Sequence, residues 1–353
     1  MERKKVVVAM SGGVDSSVAA ALLLDEGYDV SGIMLKLWAD ECGEKENSCC
    51  PPEAIRQARE VASILGIPFY VLDVRDLFKA RIVDGFISDY ANGFTPNPCF
   101  NCNRWIRWGV LLDFVLQNGN DFLATGHYAR LEREGEFVRL RKGVDETKDQ
   151  SYVLSGLTRE QLSHTLLPLG GYRKVQIRAI AREKGLPVAD RRDSQDLCFV
   201  GKLGYRDFLK RHAPEAFVEG QMVDSSGMRV GTHAGLANFT IGQRKGLGAG
   251  NREPVYVLSK DAAQNAIVVG SRAELGRDRF TARDLNISPG GIQSADKYMV
   301  KTRYKASPVG CSLIDIQNGK LDVILEEPVL DITPGQIAVF YDGDEVVASG
   351  IIQ

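Results

Sequence analysis

No run of apolar residues in the 353-residue chain reaches the ~20 that a membrane-spanning helix needs, so a helical membrane protein is excluded. Charge of one sign is also missing: 44 basic against 46 acidic residues leave a net −2, so nucleic acid could be held only by local basic patches. Two such patches exist, Lys297 to Lys305 (KYMVKTRYK) and Gly242 to Gly246 (GQRKG). Internal repeats and low-complexity tracts are absent, and 44% hydrophobic with 25% charged residues is an ordinary globular composition. The start, MERKKVVVAM, has no apolar leader core, and seven cysteines are an odd number; together they lead us to expect a cytoplasmic protein with free or chemically active thiols.

At ~100 to 200 residues per domain the length suggests two or three units. Short β-branched runs alternate with amphipathic patterns through the first two hundred residues. Strands are expected at Val6 to Met10, Val30 to Leu37, Pro68 to Val74 and Phe122 to Thr125, and helices at Ser16 to Glu26, Glu53 to Leu65 and Asn103 to Gln117. Such alternation builds a parallel sheet, so the fold class is α/β, with a hairpin excursion at Tyr128 to Arg141. Trp105, Trp108, Leu112 and Val115 form one apolar stripe, which assigns both tryptophans to the core. From about Gly201 the pattern predicts a small, loop-rich central domain. From about Phe280, period-two alternation with Asn318-Gly319 and Asp342-Gly343 turns predicts a small antiparallel barrel. Residues 1–203, 204–277 and 278–353 are the expected domains.

VVVAMSGGVDSS places a strand, a tight loop and a helix start in one run. Gly12 and Gly13 let backbone N–H groups converge on an anion at a helix's positive end. A Walker loop would carry Gly-Lys-Ser/Thr and a dinucleotide fingerprint three spaced glycines; neither is present. Asp15 would repel a bare phosphate, which points to Mg²⁺ between them. The bland alternative for two glycines is a tight turn capped by Ser11. The whole motif resembles the pyrophosphate loop of the ATP pyrophosphatase (PP-loop) superfamily, whose members adenylate a carbonyl oxygen.

The cysteines narrow the choice. Cys102, in TPNPCFNC, precedes a helical pattern whose N-terminal dipole would lower its pKa. Cys198 stands in ADRRDSQDLCFVG beside Arg191 and Arg192. SGGVDSS, TPNPxxxCN, ATGHYAR, KDQSYVL, DSQDLCF, FTIGQRKGLG and TRYK, spread in this order over the chain, resemble the bacterial MnmA family of tRNA-specific 2-thiouridylases.

That resemblance implies ATP-dependent 2-thiolation of the wobble uridine, position 34, in tRNAs for Lys, Glu and Gln: O2 is adenylated and persulfide sulfur replaces it. It implies a persulfide on Cys198, with Cys102 liberating the sulfur or closing a disulfide with Cys198. It places ATP at Ala9, Met10, Ser11, Gly12, Gly13, Val14, Asp15, Ser16 and Gly126, with Leu35 near the adenine. It places tRNA at His127, Lys148, Asp149, Gln150, Arg303, Tyr304 and Gln336, and the target base at Asn97, Pro98 and Cys99. A persulfide donor, such as a cysteine desulfurase or a relay protein, is the implied partner.

Cys99 departs from the family pattern, where an aspartate is common; a neutral thiol supplies no carboxylate. Cys99, Cys102 and Cys198 could instead hold an iron-sulfur cluster that delivers sulfide. Cys42, Cys49 and Cys50 fit an ordinary charged loop better than a zinc site. Cys311, in an alternating strand, reads as a small buried hydrophobe. Two rivals remain at this level: a superfamily synthetase acting on a small acid or nucleotide, and a tRNA-binding protein without catalysis.

Overall fold

The computed structural model describes residues 3–38, 40, 52–135, 137–191, 197–200, 204–247, 254–288, 291–292, 297–330 and 332–353, without the side chains of 314–317. Cys42, Cys49 and Cys50 lie outside the described residues, as does Arg192. Among those described, no helix is long and apolar enough to cross a membrane.

The first unit is built on a parallel sheet. Its strands are β1 (Lys5–Ala9), β2 (Asp29–Lys36), β3 (Phe69–Asp73), β4 (Phe122–Thr125) and, after the hairpin β5 (Ala129–Glu134) and β6 (Phe137–Lys142), the short β7 (Thr165–Leu166), in the order β3-β2-β1-β4-β7. Central β1 is a continuous valine run buried on both faces, as a strand covered by helices on either side must be. The chain leaves β1 outward through β2 and β3, then returns to β4 on β1's other side. The crevice at the carboxyl ends of β1 and β4 is therefore the switch point where such sheets bind ligands.

Helices α1 (Val14–Asp25) and α2 (Pro52–Leu65) cover this sheet. On α2, Ala54, Ala58, Val61 and Ala62 turn inward at helical spacing, while Glu53, Arg56 and Glu60 pair on the outside. Two longer helices, α3 (residues 75–91) and α4 (residues 98–117), each contain a π-helical stretch, Lys79–Val83 and Asn103–Leu111. Bonding from i to i+5 shifts the side-chain phase. For that reason α3 escaped the search for a 3.6-residue period, and Trp105 corrects the expectation of a core residue: it is 40% exposed, with Arg104 over its ring at 4.6 Å. Trp108 is fully buried, as expected, and its Nε1 donates to Thr165 Oγ1 at 2.6 Å.

After α5 (Ser151–Leu154), α6 (Arg159–Ser163), α7 (Lys174–Glu183) and α8 (Tyr205–His212) comes the central unit. It is less loop-like than its glycines suggest. Strands β8 (Gly220–Val223), β9 (Arg229–His233), β10 (Tyr256–Asp261) and β11 (Ala266–Gly270) form one sheet, β10-β11-β8-β9. Each strand has only four to six residues, too few for a clear alternation to stand out between glycine turns.

The last unit is a closed antiparallel barrel of β12 (Arg277–Ile287), β13 (Lys297–Lys301), β14 (Val309–Gln317), β15 (Lys320–Val329), β16 (Ile337–Asp342) and β17 (Glu345–Ile352). The order is β12-β15-β14-β13-β16-β17, with β17 pairing back to β12. Asn318 and Gly319 both take positive φ, 52° and 73°, as a tight hairpin requires. Cys311 is wholly buried in the barrel core, and that burial pushes its thiol up to about 12.

The β5–β6 hairpin leaves the first unit and lies against the barrel, with Arg141 of β6 registered to Glu345 of β17. Arg141 donates to Asp344 at 2.5 Å, Arg139 to Glu345 at 3.0 Å, Arg130 also reaches Asp344, and Lys142 N donates to Asp344 O at 2.8 Å. Acid on one unit and base on the other thus fasten the first and last units together.

Replacing Trp108 by Phe removes the bond to Thr165 and leaves a void, and should cost about 1–3 kcal/mol of catalytic-unit stability. Urea unfolding followed by tryptophan fluorescence and circular dichroism measures it; an unchanged midpoint would show that neither the bond nor the packing matters there.

Candidate active site

The loop after β1 turns at Gly12, φ 72°, where a Cβ would stand 2.6 Å from the carbonyl oxygen of Ala54 on α2. Only glycine permits that approach and that φ. Gly126, just past β4, presses equally closely on the start of α1: a Cβ there would lie 2.7 Å from Asp15 C and Ser16 N. Gly13 is the N-cap of α1 and offers no side chain, so the helix's first amides remain available at the crevice. Ser16 Oγ accepts from Ser11 N at 3.1 Å, and Ser17 Oγ donates to Gly13 O at 2.9 Å, fixing the loop from inside. Ser11 is therefore held by Ser16 and does not cap the helix. Ala9 pairs with Ile33 and Thr125, Met10 and Val14 are buried, and Leu35 lies buried on β2 two residues beyond Ile33.

Asp15 is where the sequence reading missed its partners. Lys174, the first residue of α7, donates to both carboxylate oxygens at 2.7 Å, and Tyr128 Oη donates to Oδ1 at 2.6 Å. The lysine absent from the loop arrives from 159 residues along the chain. Asp15's charge, for which the sequence reading invoked Mg²⁺, is met by a protein cation. Arg191 Nη1 donates to Gly12 O at 2.5 Å and to Gln57 Oε1, tying the end of the stretch after α7 onto the phosphate loop.

The second cluster is the thiol helix. It begins at Pro98, not Asn103: Asn97 caps it, its Oδ1 accepting from Phe100 N at 3.1 Å, and proline stands first, where no N–H is needed. Cys102 therefore sits a full turn inside, buried, beyond the reach of the dipole expected to activate it. Burial pushes its thiol up to about 12, with smaller upward pushes from Cys198 and Cys99 against a downward one from Arg107. Cys99 is exposed but set deep among protein atoms; desolvation, then Cys198, raise it to about 11, and Arg107 again opposes. Arg107, unremarked in the sequence, supplies the positive charge that opposes both rises. Its Nη1 donates to Asn103 Oδ1 at 2.8 Å. Among the described residues, no three His, Cys, Asp or Glu side chains converge closely enough to hold a metal ion.

His127 follows Gly126, bonded through Nδ1 to Thr125 Oγ1 at 2.8 Å, its ring 5.6 Å from that of Trp108. Burial, helped by Arg107, lowers its pKa to about 3, so it is neutral at physiological pH. Most other residues expected to meet RNA are engaged with protein groups. Asp149 accepts from Gly143 N at 3.0 Å and from Ser151 N at 3.1 Å, and Gln150 Oε1 from Tyr128 N at 3.0 Å. Tyr304 Oη donates to Asp149 O at 3.1 Å, Arg303 to Ile241 O at 3.2 Å and to Thr333, and Gln336 Nε2 to Thr95 O at 2.8 Å. Lys148 N closes a turn onto Asp145 O at 2.9 Å. The KDQ run is thus a brace between Tyr128, which bonds Asp15 beside the phosphate loop, and the barrel's Tyr304.

A glycine loop at the switch point of a parallel sheet, with a cysteine pair and a closed barrel beside it, defines a nucleotide-binding α/β enzyme of the ATP-pyrophosphatase kind with an appended barrel. Residues 4–202 match the family described as tRNA methyl transferase HUP domain, 206–271 its PRC-barrel domain and 277–352 the aminomethyltransferase beta-barrel domain. The tRNA-specific 2-thiouridylase MnmA of Acetivibrio thermocellus is 43% identical over 359 residues, spanning 100% of both chains. That of Moorella thermoacetica is 45% identical, spanning 98% of this chain and 99% of its own. Among solved structures, the U34-tRNA thiolase NcsA of Methanococcus maripaludis shares 20% identity over 60% of this chain and 67% of its own at a TM-score of 0.35, a likeness from which nothing further is argued. The chain belongs to the MnmA family of tRNA-specific 2-thiouridylases. The domain descriptions speak of methyl transfer, but identity along whole chains outweighs a domain label.

Two predictions follow from this geometry. In a double-mutant cycle, K174M and D15N should couple by about 1–2 kcal/mol in unfolding free energy without nucleotide, because each single change strands a half-buried partner; additive effects would dissolve the pair. Unfolded His127 binds a proton near the ordinary histidine value of 6.5 while the folded residue stays neutral down to about 3. The unfolded state therefore holds more protons in that window, and stability falls as pH drops through it. Urea midpoints of wild type and H127N at pH 7 and 5 check this: the variant should lose less on acidification.

Proposed function

We propose that this chain thiolates O2-adenylated U34 of tRNA with sulfur carried as a persulfide on Cys198. The observation that carries the reading is that Cys102 and Phe199, next in chain to Cys198, are buried in one core cluster, while Arg191 donates to Gly12 of the phosphate loop; nucleotide and sulfur chemistry would then share one site. In this scheme Ala9 to Ser16 and Gly126 hold ATP, Leu35 lies toward the adenine, and the uncapped start of α1 faces the phosphates. Mg²⁺ would accompany ATP on its phosphates; Asp15 is already paired with Lys174.

The uracil C2 carbonyl is a poor electrophile until its oxygen is a leaving group. Attack of O2 on the α-phosphorus expels pyrophosphate; the terminal sulfur of Cys198–S–S⁻ then bonds to C2 and AMP departs. Cys102, deprotonated, attacks Cys198 Sγ, the S–S bond breaks, the sulfur stays on C2 as 2-thiouridine, and a Cys102–Cys198 disulfide remains for an external thiol to reduce. Cys102 must lose its proton for this, which its present burial opposes, so binding of tRNA has to change its surroundings. Cys99, protonated at neutral pH, serves as a hydrogen-bond or proton donor in place of a carboxylic acid. The target base lies against Asn97 to Cys99, splayed from a single-stranded loop. His127, Lys148, Asp149, Gln150, Arg303, Tyr304 and Gln336 border the tRNA path, and tRNAs for Lys, Glu and Gln are the expected substrates. A cysteine desulfurase or relay protein supplies the persulfide. The second reading, the same reaction with sulfide delivered by an iron-sulfur cluster on Cys99, Cys102 and Cys198, is the one that the iron assay below decides.

Anaerobically purified protein, assayed for iron and acid-labile sulfide, should thiolate tRNA from a persulfide donor while metal-free, and release pyrophosphate only when tRNA is present. C198S and C102S should yield no 2-thiouridine, and C99S a reduced amount. Thiolation that rises and falls with bound iron would reject the persulfide scheme. Pyrophosphate release without tRNA would instead favour a synthetase for a small acid, and no AMP from any tRNA a noncatalytic binder.

A further inference from the structure

The seam between the barrel and the thiol helix contains more bonds than a passive contact requires. Gln336, at the entry to β16, donates its Nε2 to Thr95 O at 2.8 Å and lies 3.4 Å from Pro96 O. Thr95 N returns a bond to Pro334 O at 3.0 Å. Between these, Gly335 takes φ 93°, and a Cβ there would stand 3.0 Å from Thr95 N and 3.1 Å from Phe94 Cβ. One residue on, Tyr152 Oη donates to Ile337 O at 2.7 Å. Asn97 is the cap of α4, two residues before Cys99.

We propose that Gln336 is a positioning residue for the thiols, acting through Thr95 and the Asn97 cap, and that the barrel is thereby part of the sulfur-transfer site as well as a surface for RNA. The amide is suited to this: its NH₂ donates to carbonyls of an extended Thr-Pro segment that has no strand partner to satisfy them. Proline at 96 and 98 removes two N–H groups from this stretch, so its carbonyls need outside donors. Movement of the barrel loop 333–336 on binding RNA would then be transmitted to the start of the thiol helix over two residues of chain. Arg303, bonded to Thr333 and to Ile241, joins the central unit to the same loop. Three units therefore converge on one stretch of backbone ahead of Cys99.

This inference rests on the thiolation reading for its consequence in catalysis, but its geometric part can be tested alone. Q336M keeps the length of the side chain and removes the donor; Q336E puts a carboxylate against two carbonyl oxygens. Without tRNA or ATP, alkylation of Cys99 by iodoacetamide, read by peptide mass spectrometry, should accelerate in the order wild type, Q336M, Q336E. The first step should be roughly threefold to tenfold, the equivalent of one lost hydrogen bond. G335A, which strains the seam from its other side, should act in the same direction. With tRNA, Q336M should lower kcat by a larger factor than it raises KM for tRNA. Equal alkylation rates in all four proteins would overturn the clamp, as would a raised KM at unchanged kcat, which would make Gln336 an RNA contact only. If the wild-type protein fails to thiolate tRNA at all, the functional reading fails and the alkylation series still decides the clamp.

Discussion

Everything at this site depends on how closely the loops after β1 and β4 can approach. Gly12 lies against Ala54 and Gly126 against the first peptide of α1, each at a distance no side chain allows. That closeness aims α1's uncapped amides into the crevice, and it sets Asp15 where Lys174 and Tyr128 can reach it. A phosphate loop without its own lysine thus obtains a positive charge from α7, while Tyr128 connects it to the KDQ brace. The nucleotide end of the site is built from close backbone packing first and from charge second.

The sulfur end follows different physics. Cys102 is buried and protonated, Cys99 nearly as reluctant to ionise, and both are overseen by Arg107. A thiol held neutral cannot attack, so the described arrangement stores reactivity and does not display it. The helix that bears the thiols is π-wound from Asn103 to Leu111, which puts Cys99, Asn103 and Arg107 on a common side. Its start is fastened by the barrel and its body by the catalytic core.

Fold class was readable because a parallel α/β sheet writes itself as apolar runs alternating with amphipathic stretches, and a barrel as period-two strands with Asn-Gly turns. What escaped is equally physical. The π-helical segments of α3 and α4 break the 3.6-residue rhythm, hiding one helix and misplacing Trp105. The cap at Asn97 moved the helix start by five residues, which turned an expected activated Cys102 into a buried one. Lys174, lacking any local motif, becomes part of the loop only through tertiary folding, and nothing within its own segment could have pointed to Asp15. Asp149, Gln150 and Gln336 carry polar side chains that read naturally as RNA contacts; only the structure reveals that they also bond the protein to itself.

The β5–β6 hairpin has a consequence for how such a chain is made. It emerges during synthesis long before β17, yet Arg130, Arg139 and Arg141 find their carboxylates on Asp344 and Glu345, near the end of the chain. Until β16 and β17 are made, the hairpin has only its internal pairs, Arg141 with Glu132 and Arg139 with Glu134, and its outer strand edge is unmatched. The first unit must therefore wait for β17 to complete its surface, and chains stopped short of residue 344 would leave an open strand edge for chaperones and proteases to find.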